Sequence, residues 1–514
     1  MGKSTQIITI LCYNKYGSDN LKQRSTFYKK FSLEEGNIIK EYFTNLNNNI
    51  SLTQKETIKI NEDFEKAIDY YLKNGKTLEE TLKILSIDNL GDIYQKEPEN
   101  WYPLDSAAKI YPLSMRDNLM SVYRVSCYLK EDIVPEIYQI ALLFTMKRFP
   151  TFRTSVRRGF FWHYLDGIKK RFHIHEEKEL PCSYINVSNI GKQSFKALYY
   201  KNRISIECFH TLTDGTGATI FLSTLVATYL NLLKGIQGTN NYVLNINNKP
   251  DEEEAKDEFK GKVSKIKSQS LIEKKALQID GRKSSVRPSQ ILQFDIDLND
   301  ISELAKEKDA TITELMLSIL FLTISYSTSK KGLIKIQVPV NMRKYYPSKT
   351  LRNFSLYVSI NIPREDVKDL DSTLLEVQRQ LREKNTKDNL DELLKYTDNL
   401  IKYLKFIPLF IKRPVAKLIY GYAGDKSQTT VLSNLGNIKL PKEIQKEVEK
   451  MDFVLGTAIT NRASFSIITC NNILTLSISK LTTNTSVENS IYNILTQSTI
   501  KVKVYGSEDY ESRN

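Results

Sequence analysis

The sequence has few cysteines and histidines, and it lacks a long hydrophobic run. Its five cysteines are odd in number, scattered and never spaced as C-x-x-C. That pattern argues against a disulfide framework and against a cysteine-based zinc site, and it is typical of a reducing compartment. The apolar runs at residues 315–324 and 404–410 are too short to span a bilayer, and no longer run is evident. We therefore expect a cytoplasmic protein.

Targeting and nucleotide-binding motifs are also missing. Residues 6–12 are apolar, but the run is too short for a secretory signal and no small-residue cleavage site follows it. Neither G-x-x-x-x-G-K-[ST] nor G-x-G-x-x-G occurs. Nucleotide hydrolysis and dinucleotide-dependent redox chemistry are therefore disfavoured.

The formal net charge is +14, from 74 Lys and Arg against 60 Asp and Glu. Because the basic residues are spread along the chain, we do not expect specific nucleic-acid binding. The positive field would equally attract acyl donors that carry phosphate. Residues 400–422 combine Lys and Arg with Leu, Ile, Phe and Tyr. Such a segment can make peripheral contact with anionic lipid, line an apolar channel mouth, or pack on the core with its lysines extended into solvent.

Length and composition predict more than one packed unit. At 514 residues, the chain exceeds what a single hydrophobic core usually supports. We predict a partly helical extension at residues 1–95, an α/β subdomain at 100–246, a charged linker or solvated crossover at 247–288, and a second α/β subdomain at 289–508. Both halves mix strands and helices in a similar order, so we interpret them as a duplicated unit that is sufficient as a monomer.

Hydrophobic periodicity predicts the elements of each part. In the extension, Asn74 and Gly75 end one helix, and Thr77 with Glu80 forms a capping box that begins the next. Strands are predicted at residues 123–129, 160–165, 195–209, 291–298, 333–340 and 356–362, and helices at 134–148, 216–233, 301–305 and 313–325. Pro339 is expected to end the strand that contains it.

His210 stands where a predicted strand gives way to a loop and then to a helix. Asp214 follows four residues later, and Gly215 is expected to permit an unusual backbone angle in the turn. A histidine at a sheet edge is within reach of substrate, and with an ordinary pKa near 6.5 it can accept a proton in the cytosol. With 4 His and 20 Gly in the chain, chance produces H-x-x-x-D-G in roughly one such sequence in a hundred. We therefore predict that His210 is a general base.

The other three histidines suggest a metal site less strongly. His163, His173 and His175 lie near Glu176 and Glu177, and His-x-His at strand spacing places both rings on one face. No third ligand follows at a recognisable spacing. We interpret this stretch as a solvated polar strand end and expect no bound metal.

Several segments of the chain resemble one superfamily of enzymes. Residues 210–215 have the H-x-x-x-D-G form of the chloramphenicol acetyltransferase-like superfamily of CoA-dependent acyltransferases. Further similar segments are W-Y-P-L-D at 101–105, A-A-K-I-Y-P at 107–112, F-P-T-F-R at 149–153, V-P-V-N-M-R at 338–343 and S-N-L-G at 433–436. The resemblance covers residues 101–505 and is closest to bacterial alcohol acetyltransferase-like proteins.

The resemblance implies an α/β fold in which two subdomains form a V-shaped pseudo-dimer with a channel between them. It implies that His210 removes the proton of an alcohol or amine acceptor, which then attacks an acyl-CoA or a phosphopantetheine-linked acyl thioester. It also implies that Asp214 pairs with an arginine, for which Arg343 is the candidate. Ser433 and Asn434 are candidate donors to the oxyanion. No bound cofactor is implied, since the thioester is a co-substrate.

Two departures from the superfamily pattern keep alternatives open. Condensation domains carry a second histidine just before the catalytic one, where this chain has Phe209, which disfavours a peptide-synthetase role. Plant-type members carry D-F-G-W-G, and D-F-V-L-G at residues 452–456 lacks the inner glycine and the tryptophan. The alternatives are a condensation-like enzyme that uses an acyl carrier protein in trans, and a non-catalytic binding or regulatory module with DNA contacted by residues 1–95.

Overall fold

A computed structural model describes residues 27–95, 101–114, 121–185, 193–260, 275–419, 427–456 and 462–506. The apolar run at residues 6–12, Cys12 and residues 420–422 of the basic segment lie outside this part of the chain. The described helices are α1 (Leu33–Asn48), α2 (Gln54–Lys73), α3 (Leu78–Ile84), α4 (Tyr111–Ser114), α5 (Pro135–Thr145), α6 (Gly215–Lys234), α7 (Leu298–Glu307), α8 (Ile312–Tyr326), α9 (Leu370–Lys384), α10 (Lys387–Leu404), α11 (Leu409–Ile419), α12 (Lys442–Glu447) and α13 (Ser486–Gln497).

The described chain also contains fifteen strands. They are β1 (Tyr102–Pro103), β2 (Val122–Leu129), β3 (Thr154–Arg158), β4 (His163–Gly167), β5 (Ile174–Glu176), β6 (Phe195–Tyr200), β7 (Arg203–Phe209), β8 (Gln290–Asp297), β9 (Leu333–Asn341), β10 (Ser355–Pro363), β11 (Thr430–Asn437), β12 (Val448–Leu455), β13 (Ala463–Cys470), β14 (Ile473–Lys480) and β15 (Val502–Gly506). They form three sheets, of which a small one joins β1, β4 and β3.

The first half of the chain builds a five-stranded sheet in the order β12-β2-β7-β6-β5. β2 and β7 are rich in β-branched and aromatic residues and are buried along nearly their whole length. They pair antiparallel, from Val122 opposite Phe209 to Tyr128 opposite Arg203. Helix α6 packs on both strands. His210 lies between the C-terminal end of β7, the central strand of this sheet, and the start of α6.

The second half builds a seven-stranded sheet in the order β10-β9-β11-β13-β14-β8-β15. The buried helix α8 packs against α9, α13 and β9. Strand β12 comes from the second half of the sequence but belongs to the first sheet. It pairs antiparallel with β2, with Leu455 opposite Tyr123 and Met451 opposite Cys127. The two halves are thus joined by a shared strand as well as by their facing surfaces.

The N-terminal helices belong to the core of the first half. The buried faces of α1 and α2 are part of the same hydrophobic cluster as β2, α5 and α6. The Tyr71 hydroxyl donates to the Leu232 carbonyl at 2.7 Å, and Arg171 forms an ion pair with the largely buried Asp63 at 2.5 Å. Docking of this kind favours a structural role for the predicted helical pair.

The charged segment at residues 247–288 is only partly solvated where it is described: residues 247–250 and 281–283 are exposed, as expected, whereas Glu258 and Phe259 are buried. Both carboxylate oxygens of Glu254 accept hydrogen bonds from Arg148, each at 2.5 Å. The Glu254 carbonyl accepts the Leu351 N–H at 2.8 Å, and Phe259 is 2% exposed. Residues 261–274 lie outside the described part of the chain. The prediction of a solvated stretch therefore holds for part of the segment, and it missed carboxylates such as that of Glu254 that are paired against the fold.

Pro339 does not end its strand, so that expectation was wrong. β9 continues to Asn341 and pairs with β10 over its full length, with Tyr357 opposite Pro339. On its other side, β9 pairs with β11 at Ile336 and Gln337. Proline is tolerated where the sheet does not require its missing N–H, and the pairing with β11 stops before this position.

One helix is longer and more apolar than the sequence analysis allowed. In the described residues, α6 is the single helix that is long and apolar enough to cross a membrane on its own, while α7 and α8 would pass together only as a pair bent by 84°. However, 78% of the apolar window of α6 is buried inside the protein. Its hydrophobicity is explained by packing on the first sheet, as expected for a core helix.

Candidate active site

His210 is held by two tyrosine rings at the end of β7. Its backbone N–H donates to the Ser121 carbonyl at 2.8 Å. The Tyr111 ring stacks on the imidazole at 4.4 Å between centroids, and Tyr123 meets it edge-on at 5.0 Å. The Tyr123 hydroxyl donates to the carbonyl of Thr213 in the His210 loop at 2.9 Å. These contacts limit rotation of the imidazole.

A chain of hydrogen bonds determines which nitrogen of His210 carries the proton. Nδ1 lies 2.9 Å from Oδ1 of Asn353, and Nδ2 of Asn353 donates to Oδ2 of Asp105 at 3.1 Å. Asp105 also accepts the Ala108 N–H at 2.7 Å and lies 3.5 Å from Arg352. Because the Asn353 amino group faces a carboxylate, its carbonyl oxygen faces the imidazole, and Nδ1 must donate. The neutral ring therefore keeps a lone pair on Nε2.

Burial lowers the pKa of His210 below its ordinary value of 6.5, while a backbone hydrogen bond, the charge of Asp214 and the Asn353 hydrogen bond partly offset this effect. The expectation of an ordinary pKa is corrected in this direction. A depressed pKa keeps the imidazole neutral at neutral pH. The ring is then ready to accept a proton.

Asp214 joins the two halves of the protein through Arg343. As the N-cap of α6, its carboxylate accepts the Gly217 N–H at 3.1 Å. The same carboxylate accepts from Arg343 Nη1 at 2.7 Å and from the Phe354 N–H at 2.9 Å. Arg343 also donates to the carbonyls of Thr350 and Arg352. The expected partner of Asp214 is thus in contact with it, and the pair fixes the loop that carries Asn353.

Gly215 does not have the unusual backbone angle that we expected. Gly215 is the first residue of α6, and it is not one of the described glycines that have a positive φ. Its role is steric, because a Cβ at this position would lie 2.5 Å from Cδ2 of Leu435. At Gly217, a Cβ would lie 2.3 Å from the Leu351 carbonyl oxygen. Both glycines permit close approach of the second half to the His210 loop.

The two oxyanion candidates differ in how their side chains are used. Both Ser433 and Asn434 lie on β11, just before Leu435. The Leu435 side chain packs against Gly215. The Asn434 amide donates to the Thr313 hydroxyl at 3.0 Å and its carbonyl oxygen accepts the Gly436 N–H at 2.8 Å. The Asn434 side chain therefore serves the local structure. Ser433, 8% exposed, remains a candidate donor.

Sequence reasoning missed four residues of this site: Asp105, Tyr111, Tyr123 and Asn353. Asn353 lies 143 residues from His210 and 248 residues from Asp105 in the sequence, and no motif at Asn353 distinguishes it from other asparagines. Tyr111 and Asp105 both lie in segments that carried the superfamily resemblance, but the resemblance assigned no role to either. An aspartate at the start of a helical turn, such as Asp105, is a recognisable capping residue. Its contact with Asn353 could not be predicted, because Asn353 is distant in the sequence.

The histidine cluster is used structurally where it is described. The rings of His173 and His175 lie 4.4 Å apart, while Glu177 forms buried ion pairs with Arg124 and Arg203, both at 2.8 Å. Within the described ranges, no group of three or more His, Cys, Asp and Glu could hold a metal ion. Burial lowers the pKa of His173 to about 4, so this ring is neutral at neutral pH.

No family model and no curated protein matches the sequence. The trichothecene 15-O-acetyltransferase TRI3 of Fusarium sporotrichioides is similar in structure, with a TM-score of 0.53 at 11% identity over 77% of this chain and 94% of its own. TRI101 of the same organism, solved with coenzyme A and T-2, is similar with a TM-score of 0.53 at 11% identity, over 79% of this chain and 100% of its own. The first condensation domain of the calcium-dependent antibiotic synthetase has a TM-score of 0.53 at 10% identity, over 79% of this chain and 100% of its own.

These likenesses span nearly the whole of each neighbour, at sequence identities that bear on the fold alone. They include an acetyltransferase and a condensation domain. In this chain, two sheets are joined by strand β12. The chain therefore has the mixed α/β pseudo-dimer fold of chloramphenicol acetyltransferase-like acyltransferases and condensation domains.

Proposed function

We propose that this chain is an acyltransferase, which moves an acyl group from a thioester to an alcohol or amine with His210 as the general base. The observation that supports this most directly is the hydrogen bond of 2.9 Å between Nδ1 and Asn353. It selects the tautomer that has its basic lone pair on Nε2. The lowered pKa of His210 keeps that lone pair available at neutral pH.

The reaction needs only one proton carrier. Nε2 of His210 takes the proton from the acceptor oxygen or nitrogen while that atom attacks the thioester carbonyl. The carbonyl oxygen becomes an oxyanion, and the C–S bond of the tetrahedral intermediate then breaks. The leaving thiolate takes the proton back from the imidazolium. The products are an ester or amide and a free thiol, and His210 returns to its neutral form.

Two further groups are proposed to support His210 without taking part in proton transfer. Asp214 and Arg343 act as positioning residues, because their ion pair of 2.7 Å holds the loop that presents Asn353. Ser433 is the proposed side-chain donor to the oxyanion, since the Asn434 amide already donates to Thr313. Donors aimed at the developing charge contribute about 2.7–4 kcal/mol in related chemistry.

The proposed donor is acyl-CoA, used as a co-substrate. TRI101, which has the same fold, was solved with coenzyme A, and the superfamily resemblance of residues 210–215 points the same way. The proposed acceptor is a small-molecule alcohol, as in the alcohol acetyltransferase-like proteins. A carrier-bound thioester is the second candidate donor, because a condensation domain is similar over 79% of this chain. We further propose that the protein acts as a monomer in the cytoplasm.

Mass spectrometry of products tests the proposal. The protein is incubated with acyl-CoAs of increasing chain length, or with the same acyl groups on a phosphopantetheine carrier, and with a panel of alcohols and amines. We expect a new ester or amide that requires both donor and acceptor. Transfer from the carrier alone would replace the first candidate donor by the second. Absence of any acyl product from both donors would contradict the proposed function.

A further inference from the structure

A cavity lies between the small sheet and helix α10. Its volume is about 930 Å³, and its walls come from the segment after β1, from β4 and from α10. Aromatic rings form one side, where Trp101 meets Tyr164 edge-on at 6.1 Å and Trp162 lies next to them in the lining. A cavity of this size is typical of sites for small organic molecules.

Lysines line the cavity without a matching number of carboxylates. Lys109, Lys260, Lys402 and Lys405 all contribute to the walls. Lys402 is paired with Asp398 at 2.5 Å, and Lys260 with Asp257 at 3.6 Å. Among the residues that the structure describes, Lys109 and Lys405 have no carboxylate within ion-pair distance. The cavity therefore carries excess positive charge.

Lys109 is the residue that makes this charge unusual, because it is 8% exposed. The carboxylates whose charge acts on it, Asp257 and Asp105, are each engaged with another cation. Its ammonium lies 5.8 Å from the Trp162 ring. A buried ammonium without a counter-ion is unfavourable, and burial accordingly lowers the pKa of Lys109.

A second buried lysine lies against the same ring and adds to the positive charge there. Lys412, 3% exposed, lies 3.3 Å from the Trp162 centroid and donates to the Phe161 carbonyl at 2.7 Å. Burial and the charge of Lys109 lower the pKa of Lys412 to about 8. Two buried ammonium groups thus repel one another across a cavity wall, and an anion in the cavity would relieve this repulsion.

We propose that this cavity binds an organic anion, a phosphate or carboxylate attached to a planar ring, and that Lys109 contacts its anionic group. The tryptophan and tyrosine faces supply stacking surfaces for the ring. Lys405, at the rim, attracts the anion to the entrance. The lining does not include Tyr111, Tyr123 or Asn353, which contact His210. The binding measurement needs no turnover, so its outcome is distinguishable from that of the proposed acyl transfer.

The two tryptophans of the chain make the site directly measurable. The protein has only two, Trp101 and Trp162, and both line the cavity. Tryptophan fluorescence is titrated with adenosine 5′-monophosphate and with 4-hydroxybenzoate, and neutral adenosine and benzyl alcohol serve as uncharged controls. Comparison of the two anions distinguishes a phosphate-bearing ligand from a carboxylate-bearing one. We expect at least one anion to bind at least about tenfold more tightly than its uncharged control.

Variants then assign the anion contact. Lys109→Met removes the charge and should weaken anion binding by about tenfold or more, without lowering the thermal midpoint of the free protein. Lys178→Met is the matched control, since Lys178 is 77% exposed at its side chain and lies outside the cavity. Equal affinity in wild type and Lys109→Met would overturn the proposal. So would failure of both anions to bind better than the uncharged controls, a comparison that needs no variant.

Discussion

Replacing Asn353 by leucine should separate the orientation of His210 from its presence. Leucine has nearly the shape of asparagine, so the packing of this 1% exposed side chain is retained. The substitution removes the bonds of 2.9 Å to His210 and 3.1 Å to Asp105. Asp105 keeps its contacts with Ala108 and Arg352. The His210 Nδ1–H loses its side-chain acceptor.

The expected magnitude follows from these contacts. Leaving one buried donor without a partner costs about 1–3 kcal/mol, so we expect the free energy of unfolding to fall by that amount. Activity should fall further than folding explains, because the imidazole can then place its proton on Nε2. We expect kcat to fall about 10–100-fold, which corresponds to about 1.4–2.7 kcal/mol. The KM of the donor should change little, because Asn353 is buried behind His210.

Steady-state kinetics and thermal unfolding test this together. Asn202→Leu is the matched control, since the Asn202 side chain likewise makes two hydrogen bonds, both donated by its amide to Leu129 and Glu449, at a hairpin turn away from His210. That variant should lose stability but keep its kcat. If Asn353→Leu keeps kcat within about twofold of wild type, the hydrogen bond does not orient His210 and this reasoning is refuted.

Three further outcomes are expected. Because the pKa of His210 is lowered below 6.5, and only the neutral ring is a base, kcat/KM should fall as the pH is lowered, with a midpoint below pH 6.5; a midpoint above pH 6.5 would contradict the burial argument. Gly217→Ala should lower the free energy of unfolding by about 1–3 kcal/mol, while Gly36→Ala, where a Cβ meets nothing within 4 Å, should not lower it. Asn434→Ala should reduce stability by about 1 kcal/mol through the lost Thr313 bond, with kcat changed less than about threefold.

Local patterns predicted the elements that surround His210. The alternation at residues 195–209 corresponds to the hairpin of β6 and β7, and the predicted helix at 216–233 is α6. Thr77 and Glu80 form the expected capping box at the start of α3. These features depend on neighbours within a few residues, which is why periodicity and capping residues reveal them.

Features that depend on distant pairing were not predictable in this way. Strand β12 leaves its own half to pair with β2, and its composition does not distinguish the two sheets. Helix α1, strands β1 and β3 of the small sheet and the helices between β10 and β11 were not predicted, while the strand predicted at residues 160–165 overlaps β4. Asn353 reaches His210 only because Asp214 and Arg343 hold its loop in place. The superfamily resemblance indicated His210, Asp214 and Arg343, and their catalytic and positioning roles stay predictions.

Release of free thiol by wild type and His210→Ala tests the central claim most directly. Both proteins are given the acyl donor and acceptor found by product analysis, and their thermal midpoints and donor binding are compared to show that the variant is folded. We expect acceptor-dependent thiol release to fall by about 10²-fold or more in His210→Ala. Equal release by both proteins would mean that His210 is not the base, and the account of this site would be contradicted.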